Sequence, residues 1–201
     1  MNRRDFKIIS EWIKKESTVL DLGCGDSTLL NYLVASKDIT GYGLEKDIEK
    51  VQESIKKNIS VIQADFNVGL EQYFENNFFD YAIMTQALQE NKNPDRIILE
   101  MLRVAKEGVV TFPNMGFWQN RFQLGFLGRM PISKALPNNW FDTPNIHLCT
   151  FEDFEILCKD LKIKIIEKKV LNNNYSTNFF LKLFPNLFGE IALYRFEKKI
   201  N

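Results

Sequence analysis

Apolar residues recur along this chain with two alternating patterns. Over residues 6–15 they fall at Ile8, Ile9, Trp12 and Ile13, one face of a helix, with Asp5 placed as its N-cap. Residues 17–22 are a short apolar run without helical spacing, which predicts a buried strand. The exchange then repeats. A helix is expected over 29–35, a strand over 39–45, a helix with one charged, solvated face over 47–57, and strands over 60–65 and 79–86. Residues 94–104 form a helix with Pro94 in its first turn and Ile97, Ile98, Met101 and Leu102 inward, followed by a strand over 108–114. Five short strands alternating with four helices predict βαβ units and a parallel sheet covered on both faces.

Beyond residue 114 the pattern breaks. Residues 117–147 are a long insert rich in aromatic and turn residues. A helix is expected over 150–161, capped by Thr150 with Glu152 and Asp153 in its first turn. A strand over 162–171 and a turn at 172–174 follow, and a final strand spans 191–198. Residues 179–184 are an apolar patch of open form; the stretch 179–188 reads either as core or as an exposed surface used for assembly. With no repeat, low-complexity tract or linker, residues 1–201 are expected to form a single domain.

Composition narrows the function. Lys plus Arg and Asp plus Glu both number 26, so the formal net charge is zero. That gives no electrostatic footprint for nucleic acid or an anionic membrane. No apolar run approaches the ~18 residues of a membrane span, and the first residues lack a signal peptide's apolar region, so a cytoplasmic location is expected. Three cysteines, Cys24, Cys149 and Cys158, lack both framework and metal-ligand spacing. His147 is the only histidine, which excludes a His-rich metal site and any mechanism needing two histidines; no metal is expected.

The candidate chemistry centres on residues 18–27. Val19 and Leu20 end a strand, and Gly23 and Gly25 permit a tight turn that a ligand can approach closely. The following helix directs free N–H groups over the turn. A dinucleotide site would place a third glycine three residues after Gly25, where this chain has Thr28. Asp21, Glu45 and Asp65 each sit at the end of a strand, on the ligand edge of such a sheet. Glu45 is placed to accept two ribose hydroxyls, Asp65 to meet an adenine amino group, and Asp21 to favour a cationic ligand end. Three carboxylates suit an ammonium-bearing adenosine ligand and repel a pyrophosphate.

These residues carry a resemblance. The stretch from Val19 to Gly25 resembles the first motif of class I S-adenosylmethionine-dependent methyltransferases, and Glu45, Ala64-Asp65 and Phe79-Asp80-Tyr81 resemble their later motifs. Thr85-Gln86-Ala87-Leu88-Gln89, Phe112-Pro113-Asn114, Gly128-Arg129-Met130-Pro131 and the run from Thr143 to Cys149 resemble the MetW family of methionine-biosynthesis proteins. The resemblance implies a Rossmann-like α/β fold with a seven-stranded, mostly parallel sheet, helices on both faces and the last strand antiparallel. It implies S-adenosylmethionine, or S-adenosylhomocysteine, as cofactor. It also implies a role beside homoserine O-acyltransferase. Carried over by motif, Asp21, Gly23, Cys24 and Gly25 belong to the methionine end of the cofactor. Glu45 takes the ribose, Asp65 and Phe66 the adenine, and Gln86 faces the reacting end. Ser27 stands where most such turns carry glycine; its hydroxyl is placed to cap the helix or to narrow the approach to the cofactor carboxylate.

Methyl transfer from a sulfonium needs alignment above all, and a base where the nucleophile is weakly acidic. His147 is the candidate base; its other reading is a hydrogen-bonded residue fixing the end of the insert. Cys24 has no cationic neighbour in sequence and is expected to pack beneath the turn. Gln86 and Asn114 are candidates to orient a substrate. In the insert, Trp118, Arg121, Phe122, Phe126, Arg129, Lys134, Trp140 and Phe141 mix aromatics with cations, as interface hot spots do. Trp118, Arg121, Arg129 and Trp140 are therefore candidate substrate or partner contacts; the alternative is a cover over one sheet face. Two functions remain open: a methyltransferase acting on a small molecule, and a non-catalytic partner of homoserine O-acyltransferase.

Overall fold

The computed structural model describes residues 4–172, 181 and 183–199. Helix α1 (Arg4–Trp12) leads into β1 (Thr18–Leu22), α2 (Thr28–Lys37), β2 (Thr40–Glu45), α3 (Ile48–Lys56) and β3 (Ser60–Gln63). A 3-10 turn over Phe66–Val68 precedes β4 (Phe79–Thr85), and another over Leu88–Glu90 precedes α4 (Pro94–Val104) and β5 (Ala105–Pro113). Then come α5 (Trp118–Leu127), α6 (Phe151–Asp160), β6 (Ile163–Leu171), a single helical turn over Pro185–Phe188, and β7 (Ile191–Lys198).

The strands form one sheet in the order β3-β2-β1-β4-β5-β7-β6. All pairs among β1 to β5 are parallel, and β7 runs antiparallel to both β5 and β6. Chain order reverses between β1 and β4. In open α/β sheets that switch point is where a crevice opens beyond the strands' carboxyl ends.

Strand alternation sorts the core into two layers. Val19, Tyr81, Ile83 and Val109 face α1 and α2, meeting Phe6, Ile9, Trp12, Leu30 and Leu33. Leu20, Ala82, Met84, Val110 and Phe112 face the other way, against Ile97, Ile98 and Met101 of α4 and Phe151 and Phe154 of α6. Each such buried aliphatic side chain contributes about 2 kcal/mol. Tyr194 of β7 stacks on Phe112 at 5.8 Å and meets Phe154 at 4.7 Å, which seals the antiparallel end of the sheet. Arg195 grips Glu107 across the β5–β7 pair through both carboxylate oxygens.

Several expectations are corrected. Asp5 is inside the first turn of α1 and buried, so it is not an N-cap. Strand β3 stops at Gln63, leaving Asp65 beyond it. Strand β5 starts at Ala105, directly after α4; its polar start, Lys106 and Glu107, pairs with Asp80 and Arg195 and hides the strand from an apolar pattern. The insert contains α5. Its apolar residues face outward and only Asn120 is buried, so no buried stripe announced it. The expected cap at Thr150 is present as a reciprocal capping box with Asp153. Within the expected turn at 172–174 and patch at 179–188, residues 173, 174, 179, 180 and 182 lie outside the described residues.

Candidate functional site

The glycine turn is a chain of left-handed backbone positions. Gly23, Gly25 and Ser27 have φ of 73°, 57° and 57°. Glycine adopts such angles freely, and at Gly25 an added Cβ would meet nothing within 4 Å, so the turn faces open space. Gly23 N–H and Cys24 N–H both donate to Leu44 O, at 2.8 and 3.3 Å, tying the turn to the end of β2.

Serine at a left-handed position costs about 1 kcal/mol or more. Its compensation is lateral. Ser27 does not cap α2; its side chain is fully buried, and Oγ donates to Ser54 Oγ of α3 at 2.8 Å. The single hydrogen of Ser54 Oγ is in turn shared between Gly25 O at 3.2 Å and Lys50 O at 2.9 Å. The hydroxyl therefore braces the turn against α3 and does not narrow the approach to it. Lys57, following α3, adds a second brace, donating to Asp26 O and Asp26 Oδ2, both at 2.6 Å.

Cys24 points inward. A Cβ on Gly43 would lie 2.5 Å from its Sγ, so glycine in β2 makes room for the thiol. Burial, with the nearby Asp21 charge, pushes that thiol up to about 12. Cys24 lines the turn through its backbone and has no reactive or ligand-facing side chain.

Glu45 is committed more deeply than expected. It is buried, and its Oε2 accepts from Gly25 N–H at 2.9 Å. Its Oε1 accepts from Lys46 N–H at 2.9 Å and Asp47 N–H at 3.0 Å. A carboxylate offers about four lone-pair sites, so three backbone donors leave room for one further donor, not the two ribose bonds expected. Glu45 is first the clamp of the glycine turn.

The opposite wall comes from the segments that follow β3 and β4. A Cβ at Gly23 would stand 3.2 Å from Ala87 Cβ and 3.4 Å from the Phe66 ring, so these two residues close in on the turn. Asp65 caps the 3-10 turn, its Oδ1 accepting from Asn67 N–H at 2.9 Å and Asn67 Nδ2 at 2.7 Å. Its Oδ2 has no partner among the described residues, and the side chain is exposed. Burial acting to raise its pKa is outweighed by the Asn67 bonds and by Lys46 and Lys92, which hold the carboxyl below its usual range. Gln86 directly follows β4 in a left-handed conformation, φ 54°, with N–H donating to Thr111 O at 2.9 Å. A non-glycine residue held there is strained, and its side chain is exposed at the switch point. Asp21 is buried at the end of β1, between Gly43 and Ile83 in register.

Asp21, Gly23, Gly25, Glu45, Asp65, Phe66 and Gln86 thus share one edge of the sheet. The other candidates do not join them. Asn114 is fully buried: both amide hydrogens go to backbone carbonyls, Asn186 O at 2.9 Å and Gly189 O at 2.8 Å, and Oδ1 accepts from Gly116 N–H. It pins the chain after β5 and has nothing left to orient a substrate. Trp118, Arg121, Arg129 and Trp140 lie on the outside of the insert, with Trp118 45% and Trp140 73% exposed. Arg121 donates to Gly116 O at 2.5 Å. Phe122 and Phe126 stack at 5.2 Å on the solvent side of α5, and Phe126 is 82% exposed. The insert does not cover a sheet face with these side chains.

His147 is exposed, with Nε2 3.3 Å from Lys92 O. Ile146 N–H and His147 N–H both donate to Gln89 O, at 2.8 and 3.0 Å, which fastens the end of the insert to the loop after β4. The braces Ser54 and Lys57 escaped sequence reasoning, because nothing in a solvated helix pattern marks which polar residue turns inward. Gln89 was visible only as part of a motif.

Three kinds of similarity accompany this geometry. Residues 3–196 match the family model described as "Methionine biosynthesis protein MetW". A protein of Rhodopirellula baltica, "Bifunctional methionine biosynthesis protein MetXA/MetW", is 29% identical over 97% of this chain and 33% of its own length. The "Demethylmenaquinone methyltransferase" of Staphylococcus carnosus is 30% identical over 60% of this chain and 54% of its own length. The chain thus spans a third to about half of these relatives. Among solved structures, an S-adenosylmethionine-dependent methyltransferase from Mesorhizobium loti has a TM-score of 0.71 at 13% identity, covering 98% of this chain and 99% of that one. One from Aquifex aeolicus gives 0.64 at 17% identity, covering 95% and 88%. At those identities the likeness concerns the fold, a Rossmann-like methyltransferase fold.

Proposed function

The chain belongs to the MetW family, and from that membership and the site's geometry we propose that it binds S-adenosylmethionine at the glycine turn and serves as a methyltransferase for a small molecule. The observation that carries this reading is the Gly25 cradle, open above the backbone and clamped from below by Glu45. The residues fit the cofactor. Asp21, Gly23 and Gly25 would hold its methionine end. Glu45 has one acceptor site left for a ribose hydroxyl, and Asp65 Oδ2 is open to an adenine amino group beside Phe66. The bound cofactor supplies an electrophilic methyl group on a positively charged sulfur. Gln86, strained at the switch point, would face the reacting end, and His147, which lies at the end of the insert and not among the sheet-edge residues, would take a proton only from an acceptor that reaches it.

The test is calorimetric titration with S-adenosylmethionine and with S-adenosylhomocysteine. Micromolar binding, weakened at least tenfold in Asp65→Ala, is expected. No binding to either compound would overturn the reading.

A second reading is favoured by the MetXA/MetW relative, in which a module of this family is joined to another. Here the protein is a partner or regulatory subunit of homoserine O-acyltransferase, and the exposed aromatics and arginines of the insert form the contact. Co-purification with that enzyme, weakened by Trp118→Ala or Arg129→Ala, is expected. Absence of a complex at micromolar concentrations would sink it.

A further inference from the structure

The link from β3 to β4 has no α-helix. Parallel strands are usually joined by one, but between Gln63 and Phe79 the chain forms only the 3-10 turn over Phe66–Val68 and further turns. One flank of α4 is left uncovered beside that link, and a cavity of about 370 Å³ opens between them. Phe66 and Ile97, both buried, and Val68 and Leu99, both exposed, give it apolar walls. Glu71 on the link and Arg96 on α4 line it as well, and both are exposed. We infer that this cavity binds a zwitterionic amino acid with an apolar side chain, Arg96 taking the carboxylate, Glu71 the ammonium and the apolar walls the side chain.

The two charges face one cavity from different segments and do not meet. Arg96 has no hydrogen bond or ion pair among the described residues. Glu71 senses Arg103 through space, but it accepts no hydrogen bond and forms no ion pair among those residues. Its carboxylate lies against Gly69, another lining residue, where a Cβ would meet Oε2 at 2.9 Å. Glu100 also lines the cavity but is spent. Its two oxygens take the Arg103 guanidinium at 2.8 and 2.9 Å, and Oε2 accepts from Leu70 N–H at 3.3 Å. The free charges are therefore one guanidinium and one carboxylate. Arg96 stands in the first turn of α4, whose N-cap Asn93 gives no side-chain bond, so the free N–H groups there favour the same negative group.

That combination selects the ligand. A phosphate or dicarboxylate brings only negative charge, which Glu71 repels. A polyamine brings only positive charge, which Arg96 repels. A zwitterion suits both, and the planar guanidinium fork matches a carboxylate through two parallel bonds. The apolar walls add affinity for an aliphatic or aromatic side chain.

The cavity is distinct from the glycine site but touches it. The Phe66 ring lines the cavity and also stands 3.4 Å from a Cβ built on Gly23. Asp21 and Gln86 are not among the lining residues, so an occupant is an effector and not a methyl acceptor. The effector role rests on the function proposed above; the binding does not.

The experiment is calorimetric titration of the whole protein without cofactor. The probes are L-leucine, glycine without the side chain, N-acetyl-L-leucine without the ammonium, and L-leucinamide without the carboxylate. Leucine is expected to bind, and each of the others at least about tenfold more weakly. Arg96→Met should make leucine and leucinamide bind alike, and Glu71→Gln should do the same for leucine and N-acetylleucine. Both variants change exposed side chains, and an unchanged urea midpoint shows that weaker binding is not unfolding. No binding of leucine, any other probe binding as tightly as leucine, or unchanged preferences in the two variants would each overturn the inference. Saturating S-adenosylhomocysteine should leave the leucine site in place; competitive exclusion would put the amino acid in the glycine turn and overturn it too. If S-adenosylhomocysteine does not bind at all, the cofactor reading falls, and the Arg96 and Glu71 comparisons still decide the cavity.

Discussion

Replacing Glu45 with glutamine isolates the carboxylate's structural work. The side chain keeps its length, and its one oxygen can still accept from Lys46 and Asp47 N–H. The second oxygen becomes an NH2 group facing Gly25 N–H, donor against donor. The variant loses one charge-assisted hydrogen bond and sets the half-buried Gly25 N–H against a donor, together about 3 kcal/mol. For a chain of this size that corresponds to a fall in Tm of roughly 6–12 °C. Thermal and urea denaturation without any ligand measure it directly. Were Glu45 only a ribose contact, Glu45→Gln would weaken S-adenosylhomocysteine binding and leave the free protein unchanged. A Tm within about 2 °C of wild type would refute the clamp.

Ser54→Ala should cost about 1–2 kcal/mol in urea denaturation, because Ser27 Oγ and Gly25 O both lose a buried partner; an unchanged midpoint would mean that the turn is not braced from α3. Burial acts to raise the Asp26 pKa, but bonds from Lys57 and Thr28 outweigh it and hold the carboxyl below 3.8. The pair is half exposed, so Lys57→Ala should lower stability near neutral pH by less than about 1 kcal/mol. The stability lent by the lowered Asp26 pKa is present above 3.8 and is lost as pH falls through the folded-state value, so the gap to wild type should close in that acid range; a gap that persists at pH 2 would contradict the assignment. Cys24, Cys149 and Cys158 are all pushed from 9.0 up to about 12, first by burial. Three units reduce the thiolate about a thousandfold, so a chromogenic disulfide reagent at pH 8 should find no fast thiol in the native protein and three in denaturant.

The hydrophobic pattern by itself determined the βαβ frame, because strands buried on both faces and helices with one apolar stripe leave local traces. It also placed Glu45 at a strand end and Gly23, Gly25 and Asp65 close to strand ends, where a shared sheet edge follows from parallel topology. The motifs around Gln86 and from Thr143 to Cys149 carried the family. What each polar atom does was decided only in three dimensions. Glu45 reads as a ligand contact until Gly25 N–H is seen on it, and Ser27 reads as a cap until Ser54 is seen beside it. Asn114 reads as a substrate residue until its amide is found spent on Asn186 and Gly189, more than seventy residues away. Helix α5 left no trace because its apolar residues face water. Burial and hydrogen bonding between distant segments are properties of the folded packing, whereas periodicity is a property of neighbours in the chain.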